Sequence, residues 1–91
     1  MAKVKFTRHL VRYFPTLGDV VEAKGATVAE ILNDLNQRFP GLADYIVDEH
    51  GVLRRHVNIF LGKELIHDRK TLSDPVADDA EIHVFQALSG G

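Results

Sequence analysis

Residues 27–41 of this 91-residue chain predict a single amphipathic helix with defined ends. Thr27 and Glu30 fit a capping box, in which the threonine side chain accepts from an early helix amide and the glutamate reaches back. Apolar residues then recur at the spacing of one helix face, and Pro40-Gly41 ends the pattern. That face comprises Val28, Ile31, Leu32, Leu35 and Phe39. A helix with one apolar face must pack against another layer, which the rest of the chain has to supply.

Segments with strand-like patterns lie on both sides of this helix. Residues 3–8 alternate polar and apolar with Val4 and Phe6 inward, and residues 19–24 form a second strand that makes a hairpin with the first. Short helical turns are expected at 42–47 and 72–76. Three further strands are predicted after the helix, the first of them central in the sheet because of its apolar density: Arg54–Leu61, Glu64–Ile66 and Glu81–Gln86. The helix supplies the crossover that a parallel strand pair needs, so the sequence predicts a two-layer α+β domain.

Composition narrows the function classes. The chain is long enough for one domain, and its 45% hydrophobic and 26% charged residues are typical of a globular protein. Its net charge of −2 does not indicate the basic surface that binds nucleic acid. It contains no cysteine, which excludes disulfides, a thiol nucleophile and thiolate metal sites. No apolar run is long enough to span a membrane, and the start lacks the apolar stretch of a secretory signal. We therefore expect a cytoplasmic protein that contacts neither nucleic acid nor membrane.

The carboxyl terminus, Ser89-Gly90-Gly91, is the feature most suggestive of function. Glycine has no Cβ, so another protein's backbone can approach it closely, and the terminal carboxylate can be threaded into a narrow active site. An inert, flexible tail is the simpler interpretation. We expect residues 1–86 to form the domain and residues 87–91 to form an extended tail.

The second half of the chain resembles ubiquitin. Residues 59–65, 71–74 and 82–85 are similar to the matching stretches of ubiquitin in order and nearly in spacing. Within that superfamily the chain most resembles the ThiS/MoaD sulfur carriers, through Val57-Asn58 with the alternating residues that follow, and through Leu88-Ser89-Gly90-Gly91. The resemblance implies a ubiquitin-like β-grasp fold: a mixed sheet of four to five strands, one main helix on one face and a flexible Gly-Gly tail.

The chain also departs from its superfamily. Ubiquitin-type modifiers carry arginines before the glycines, where this chain has Ala87 and Ser89, and many MoaD members carry prolines where it has Gln86-Ala87. Residues 41–55 form a longer segment than in compact ThiS-like carriers. That length favours MoaD-like or cysteine-synthesis carriers.

The resemblance implies chemistry at the Gly91 carboxylate, with Leu88, Ser89 and Gly90 as the tail that delivers it. An ATP-dependent, ubiquitin-activating-like enzyme adenylates Gly91, and sulfur from a persulfide-carrying desulfurase then produces a thiocarboxylate. A synthase or large subunit accepts that sulfur in molybdopterin, thiamin or cysteine biosynthesis. The chain itself is then a carrier, binds no cofactor and is not an enzyme. A MoaD-like small subunit of molybdopterin synthase, a modifier that forms isopeptide bonds, and a plain interaction domain remain as alternatives.

Docking to those partners must come from the folded surface. If Ile82 and Val84 face the helix, then His83 and Phe85 lie on the open side of the sheet. If Val57, Ile59 and Leu61 also face inward, Asn58 and Phe60 lie on the open side as well, although a one-residue slip of that strand would invert the assignment. We expect Phe60, Phe85, His83 and Asn58 to form the docking patch. The alternative is that the two rings pack beneath a loop or edge. No metal site is expected, because none of the five histidines is paired at helical i, i+4 spacing.

Overall fold

Strands surround one α-helix in the computed structural model, which describes residues 1–7, 14 and 20–86, with only the backbone of residue 86. Arg8 and Asp19, the outer ends predicted for the first two strands, lie outside those residues, as does the tail 87–91. The described elements are β1 (Ala2–Phe6), β2 (Val20–Ala23), α1 (Val28–Arg38), a 3₁₀ helix (Ala43–Tyr45), β3 (Val57–Leu61), β4 (Glu64–Leu65) and β5 (Glu81–Gln86).

The described strands form one mixed sheet in the order β2-β1-β5-β3-β4. β1 pairs antiparallel with β2, which confirms the predicted hairpin, and parallel with β5. β3 lies between β5 and β4 and is antiparallel to both. β3 is therefore an interior strand, as predicted, and β5 occupies the middle of the sheet. The tail therefore continues from β5, which has two strands of the described sheet on each side.

Helix α1 packs its predicted face against one side of this sheet. Val28, Ile31, Leu32 and Leu35 are buried, and they share the core with sheet residues such as Val4, Ile59, Ile82 and Val84. Thr27 Oγ1 accepts from the Glu30 amide at 3.3 Å, and Glu30 Oε1 accepts from the Ala26 amide at 3.2 Å. The predicted capping box is confirmed, and its glutamate reaches one residue beyond the cap. The opposite side of the sheet carries no helix among the described elements.

The helical turn predicted at residues 72–76 is wrong, because the structure has no helix there. Their backbone groups bond to the start of α1 instead of to one another. The Val28 amide donates to the Asp74 carbonyl at 3.1 Å, and the Ala29 amide donates to the Leu72 carbonyl at 2.9 Å. The first amides of a helix have no partner within the helix, so this loop satisfies two of them.

Strand β3 begins at Val57, three residues later than predicted. The Val57 amide donates to the Arg54 carbonyl at 3.0 Å, so residues 54–57 form a turn that precedes the strand. Within the strand the predicted orientation is confirmed: Val57 and Ile59 are buried, and Leu61 is half-buried against the core. Asn58 and Phe60 are half-buried on the other side. The one-residue shift of β3 that would invert these faces is therefore not found.

Acid is expected to destabilise this domain, because amide donors hold the pKa of Asp74 below its ordinary value. The main donor is the His67 amide, and the Asp68 amide adds to it. A carboxyl whose folded pKa is lowered stabilises the fold above its unfolded pKa, near 4, and that stability is lost as pH falls through the folded pKa. Asp74→Asn should lower the free energy of unfolding by roughly 1–3 kcal/mol at pH 7 and flatten the acid dependence. Urea midpoints from pH 7 to 3 test this, and parallel acid curves for the two proteins would contradict it.

Candidate functional site

The predicted reactive group, Gly91, and the tail residues Leu88, Ser89 and Gly90 lie outside the described residues. The described structure does show where the tail begins. Gln86 is the last residue of β5, and its backbone pairs with Val57 at the start of β3. Since β5 has a strand on each side, the chain enters the tail from the middle of the sheet.

The face of the sheet opposite α1, here called the open face, carries the residues predicted to dock partners. One row of paired residues crosses all the strands of the described sheet: Val20, Lys5, His83, Phe60 and Leu65. The next row towards the tail pairs Phe85 with Asn58. Three of these side chains are large, apolar and exposed: Val20, Leu65 and Phe85.

The structure brings the predicted aromatic residues into contact. The rings of Phe60 and Phe85 meet edge to face, with centroids 5.5 Å apart and an angle of 90° between their planes. The His83 ring lies 6.1 Å from that of Phe85 at 30°. Phe85 is 47% exposed, whereas Phe60 and His83 are half-buried. These three residues, here called the aromatic patch, lie together on the open face.

Asn58 has a partner that the sequence pattern did not reveal. Its Oδ1 accepts from Arg69 Nη1 at 3.0 Å. Arg69 Nη2 donates to the carbonyls of Arg54 and Val57, each at 2.9 Å. The arginine lies in the connection between β4 and β5, and no periodicity or motif in the sequence links it to Asn58. It joins that connection to the start of β3, next to the aromatic patch.

Charge is unevenly distributed over the open face. In the row farthest from the tail, Lys3 pairs with Glu22 and with Glu81. The two rows nearer the tail contain Lys5 and no carboxylate among the residues that pair there. The aromatic patch therefore lies in the more positive half of this face.

A shallow cavity of about 660 Å³ lies at the tail-bearing end of the domain. Its walls include Arg54 and His56, which precede β3, and an edge-to-face pair of rings from Phe14 and Tyr45, 5.6 Å apart. Over residues 1–7, 14 and 20–86, no group of three histidine or acidic side chains is arranged to hold a metal ion. Over the same residues, no helix is long and apolar enough to cross a membrane.

The chain is similar to proteins of two descriptions, sulfur carriers and small archaeal modifiers. The sequence model of the ThiS family matches residues 11–91. The sulfur carrier protein CysO of Mycobacterium tuberculosis is 29% identical over 73 residues, which cover 78% of each chain. The small archaeal modifier protein 3 of Haloferax volcanii is 29% identical over 90 residues, covering 89% of this chain and 96% of the modifier.

Solved structures show the same fold. A chain of the Amycolatopsis orientalis BexX/CysO complex superposes with a TM-score of 0.86 at 29% identity, covering 100% of both chains. SAMP1 of Haloferax volcanii superposes with a TM-score of 0.74 at 26% identity, covering 99% of this chain and 98% of that one. These likenesses confirm the predicted ubiquitin-like β-grasp fold with its mixed sheet and single main helix.

Proposed function

The chain belongs to the ThiS family, and we propose that it is a sulfur carrier protein whose C-terminal Gly91 carboxylate becomes a thiocarboxylate. The observation that carries this proposal is that the family match extends through the last residue, so it includes the Gly-Gly terminus. Similarity to the sulfur carrier CysO supports the same assignment. The biosynthetic acceptor is determined by the partner enzyme, and molybdopterin, thiamin and cysteine pathways all fit this chemistry.

The proposed reaction proceeds in three steps at the Gly91 carboxyl group. The Gly91 carboxylate attacks the α-phosphorus of ATP on an activating enzyme, forming an acyl-adenylate and releasing pyrophosphate. The terminal sulfur of a persulfide then attacks the Gly91 carbonyl and displaces AMP, which leaves an acyl disulfide. A second thiol attacks that disulfide, forming a new disulfide and releasing the thiocarboxylate. Because the chain contains no cysteine, the persulfide and the reducing thiol both belong to partners. ATP-dependent activation also favours a cytoplasmic location.

The chain contributes reach and docking to this chemistry. Five residues follow Gln86, and a fully extended segment of that length spans at most about 18 Å. The carboxylate therefore enters a partner's active site only when the domain itself is bound nearby. Glycine at the last two positions leaves no side chain to block a narrow entrance.

We assign the docking role to the aromatic patch together with Asn58. Aromatic residues are enriched at the centres of protein interfaces, and exposed apolar clusters commonly mark interaction sites. The surrounding half of the open face carries Lys5 and lacks paired carboxylates, so it complements an acidic rim on the activating enzyme. The sulfur-accepting enzyme is expected to use the same face, because the tail leaves beside it.

Intact mass spectrometry tests the proposed function directly. The chain, purified from cells that co-express candidate activating enzymes and a persulfide-forming desulfurase, should gain the mass of one sulfur replacing one oxygen. The control is the same chain purified without the activating enzyme, which should keep its unmodified mass. An unmodified mass with every candidate enzyme, and no ATP-dependent adenylate, would contradict the proposal.

A second candidate, a ubiquitin-like protein modifier, is favoured by similarity to the small archaeal modifier protein 3. In that role a target lysine attacks the activated Gly91 carbonyl and displaces AMP or an enzyme thiol, forming an isopeptide bond. Neither lysine nor arginine follows Lys70, so trypsin would leave residues 71–91 on the modified lysine. Mass spectrometry should therefore search for that long remnant rather than for a diglycine. Its absence from lysates that contain the thiocarboxylate would exclude the modifier role under those conditions.

A further inference from the structure

Arg69 is the side chain that connects the docking surface to the root of the tail. Its guanidinium donates three hydrogen bonds: one to the Asn58 side chain at 3.0 Å, and one each to the carbonyls of Arg54 and Val57 at 2.9 Å. Its own carbonyl accepts from the Leu53 amide at 2.8 Å. Its side chain and backbone thus hold residues on both sides of the turn that precedes β3.

Two of the residues held by Arg69 face the last two residues of β5. Val57 is paired with Gln86, from which the tail departs, and Asn58 is paired with Phe85 of the aromatic patch. The Arg69 guanidinium is therefore one strand away from both functional features. Its three acceptors are neutral oxygens, and the ion pairs found in the described part of the chain do not include it.

We propose that Arg69 is a positioning residue for the chemistry at Gly91, because it fixes the start of β3 and thereby the direction in which the tail leaves the docking surface. This inference rests on the proposed sulfur-carrier function. A planar guanidinium can bond a side-chain oxygen and two backbone carbonyls at once from fixed directions. A lysine ammonium is a point charge on a flexible stem and does not reproduce that geometry.

The expected consequence of losing this residue is a misplaced tail. A displacement of about 1 Å at a reacting group can cost 10²-fold in rate. A small change of direction at Gln86 becomes a larger displacement of the Gly91 carboxylate, because five residues separate the two. Arg69→Met should lower kcat/KM for adenylation by roughly ten- to a hundredfold, with part of the loss in kcat. Arg69→Lys keeps the positive charge but loses the planar guanidinium. Its activity should therefore fall between that of Arg69→Met and that of the chain with Arg69.

Matched variants separate positioning from charge and from stability. Arg55→Met removes an exposed arginine on the same turn and should leave adenylation unchanged. Thr27→Ala destabilises the domain at the distant helix cap and should leave adenylation unchanged while the protein is folded. Full activity of Arg69→Lys would show that charge alone is required and would overturn the proposal. A loss in Arg69→Met no larger than that in Thr27→Ala would overturn it as well.

The decisive measurement does not depend on any enzyme. The ¹⁵N order parameter of the Gln86 amide should fall in Arg69→Met and stay unchanged in Thr27→Ala. An unchanged Gln86 amide in Arg69→Met would overturn the positioning role even if adenylation is lost. If the unmodified chain is never adenylated but Gln86 loosens in Arg69→Met, the proposed function fails and the structural role of Arg69 stands.

Discussion

Deleting Gly91 should abolish activation of the chain while leaving its fold intact. The deletion moves the terminal carboxylate back by one residue, about 3.5 Å along an extended tail. Because a 1 Å misplacement can already cost about 10²-fold, we expect at least a 10³-fold loss in ATP–pyrophosphate exchange with the activating enzyme. The deleted chain should also gain no sulfur in the intact-mass experiment.

The fold provides the internal control for this deletion. Gly91 lies beyond β5, so its removal takes nothing from the sheet or the core described here. The thermal midpoint of the deleted chain should match that of the full chain. Gln37→Ala, which changes an exposed residue on the helix side of the domain, should retain full exchange activity. An exchange rate of the deleted chain within tenfold of that of the full chain would show that the terminus is inert. That result would favour the alternative of a plain interaction domain.

Local patterns predicted the helix and the last strand correctly. Helix α1 is determined by a capping threonine, four buried positions at helical spacing and a following Pro-Gly, all within residues 27–41. Strand β5 has the predicted bounds, and its alternation places Ile82 and Val84 in the core with His83 and Phe85 on the open face. The same alternation placed Asn58 and Phe60 beside them, which is why the predicted docking residues meet in space.

Contacts between distant residues account for the errors. Residues 72–76 have no helix because two of their carbonyls accept from the amides of Val28 and Ala29, more than forty positions earlier. Strand β3 starts late because residues 54–57 form a turn whose carbonyls accept from Arg69. Apolar density correctly predicted β3 as an interior strand, but it does not identify β5 as the middle strand of the sheet. Such long-range hydrogen bonds leave no periodic signal in a single sequence.

The strongest test of the docking assignment is Phe85→Glu. Its ring is 47% exposed and contacts Phe60 edge to face, so replacement removes the accessible half of the aromatic patch and adds a charge. Interface hot spots are worth about 2 kcal/mol or more, which corresponds to a loss of at least roughly 30-fold in affinity for the activating enzyme. The loss should appear in KM for the carrier, because the tail and its terminus are unchanged.

Val20→Glu is the matched control for that variant. Val20 is 44% exposed on the same face, but it lies on edge strand β2, two strands away from β5. The contact between Phe85 and Phe60 is worth about 0.5–1.5 kcal/mol beyond the apolar area that it buries. Because Phe85 is already 47% exposed, both variants should remain folded at 25 °C. If the aromatic patch is the docking surface, only Phe85→Glu should raise KM strongly. Equal effects of the two variants would point to a general response to added negative charge, and an unchanged KM in Phe85→Glu would place the docking surface elsewhere on the domain.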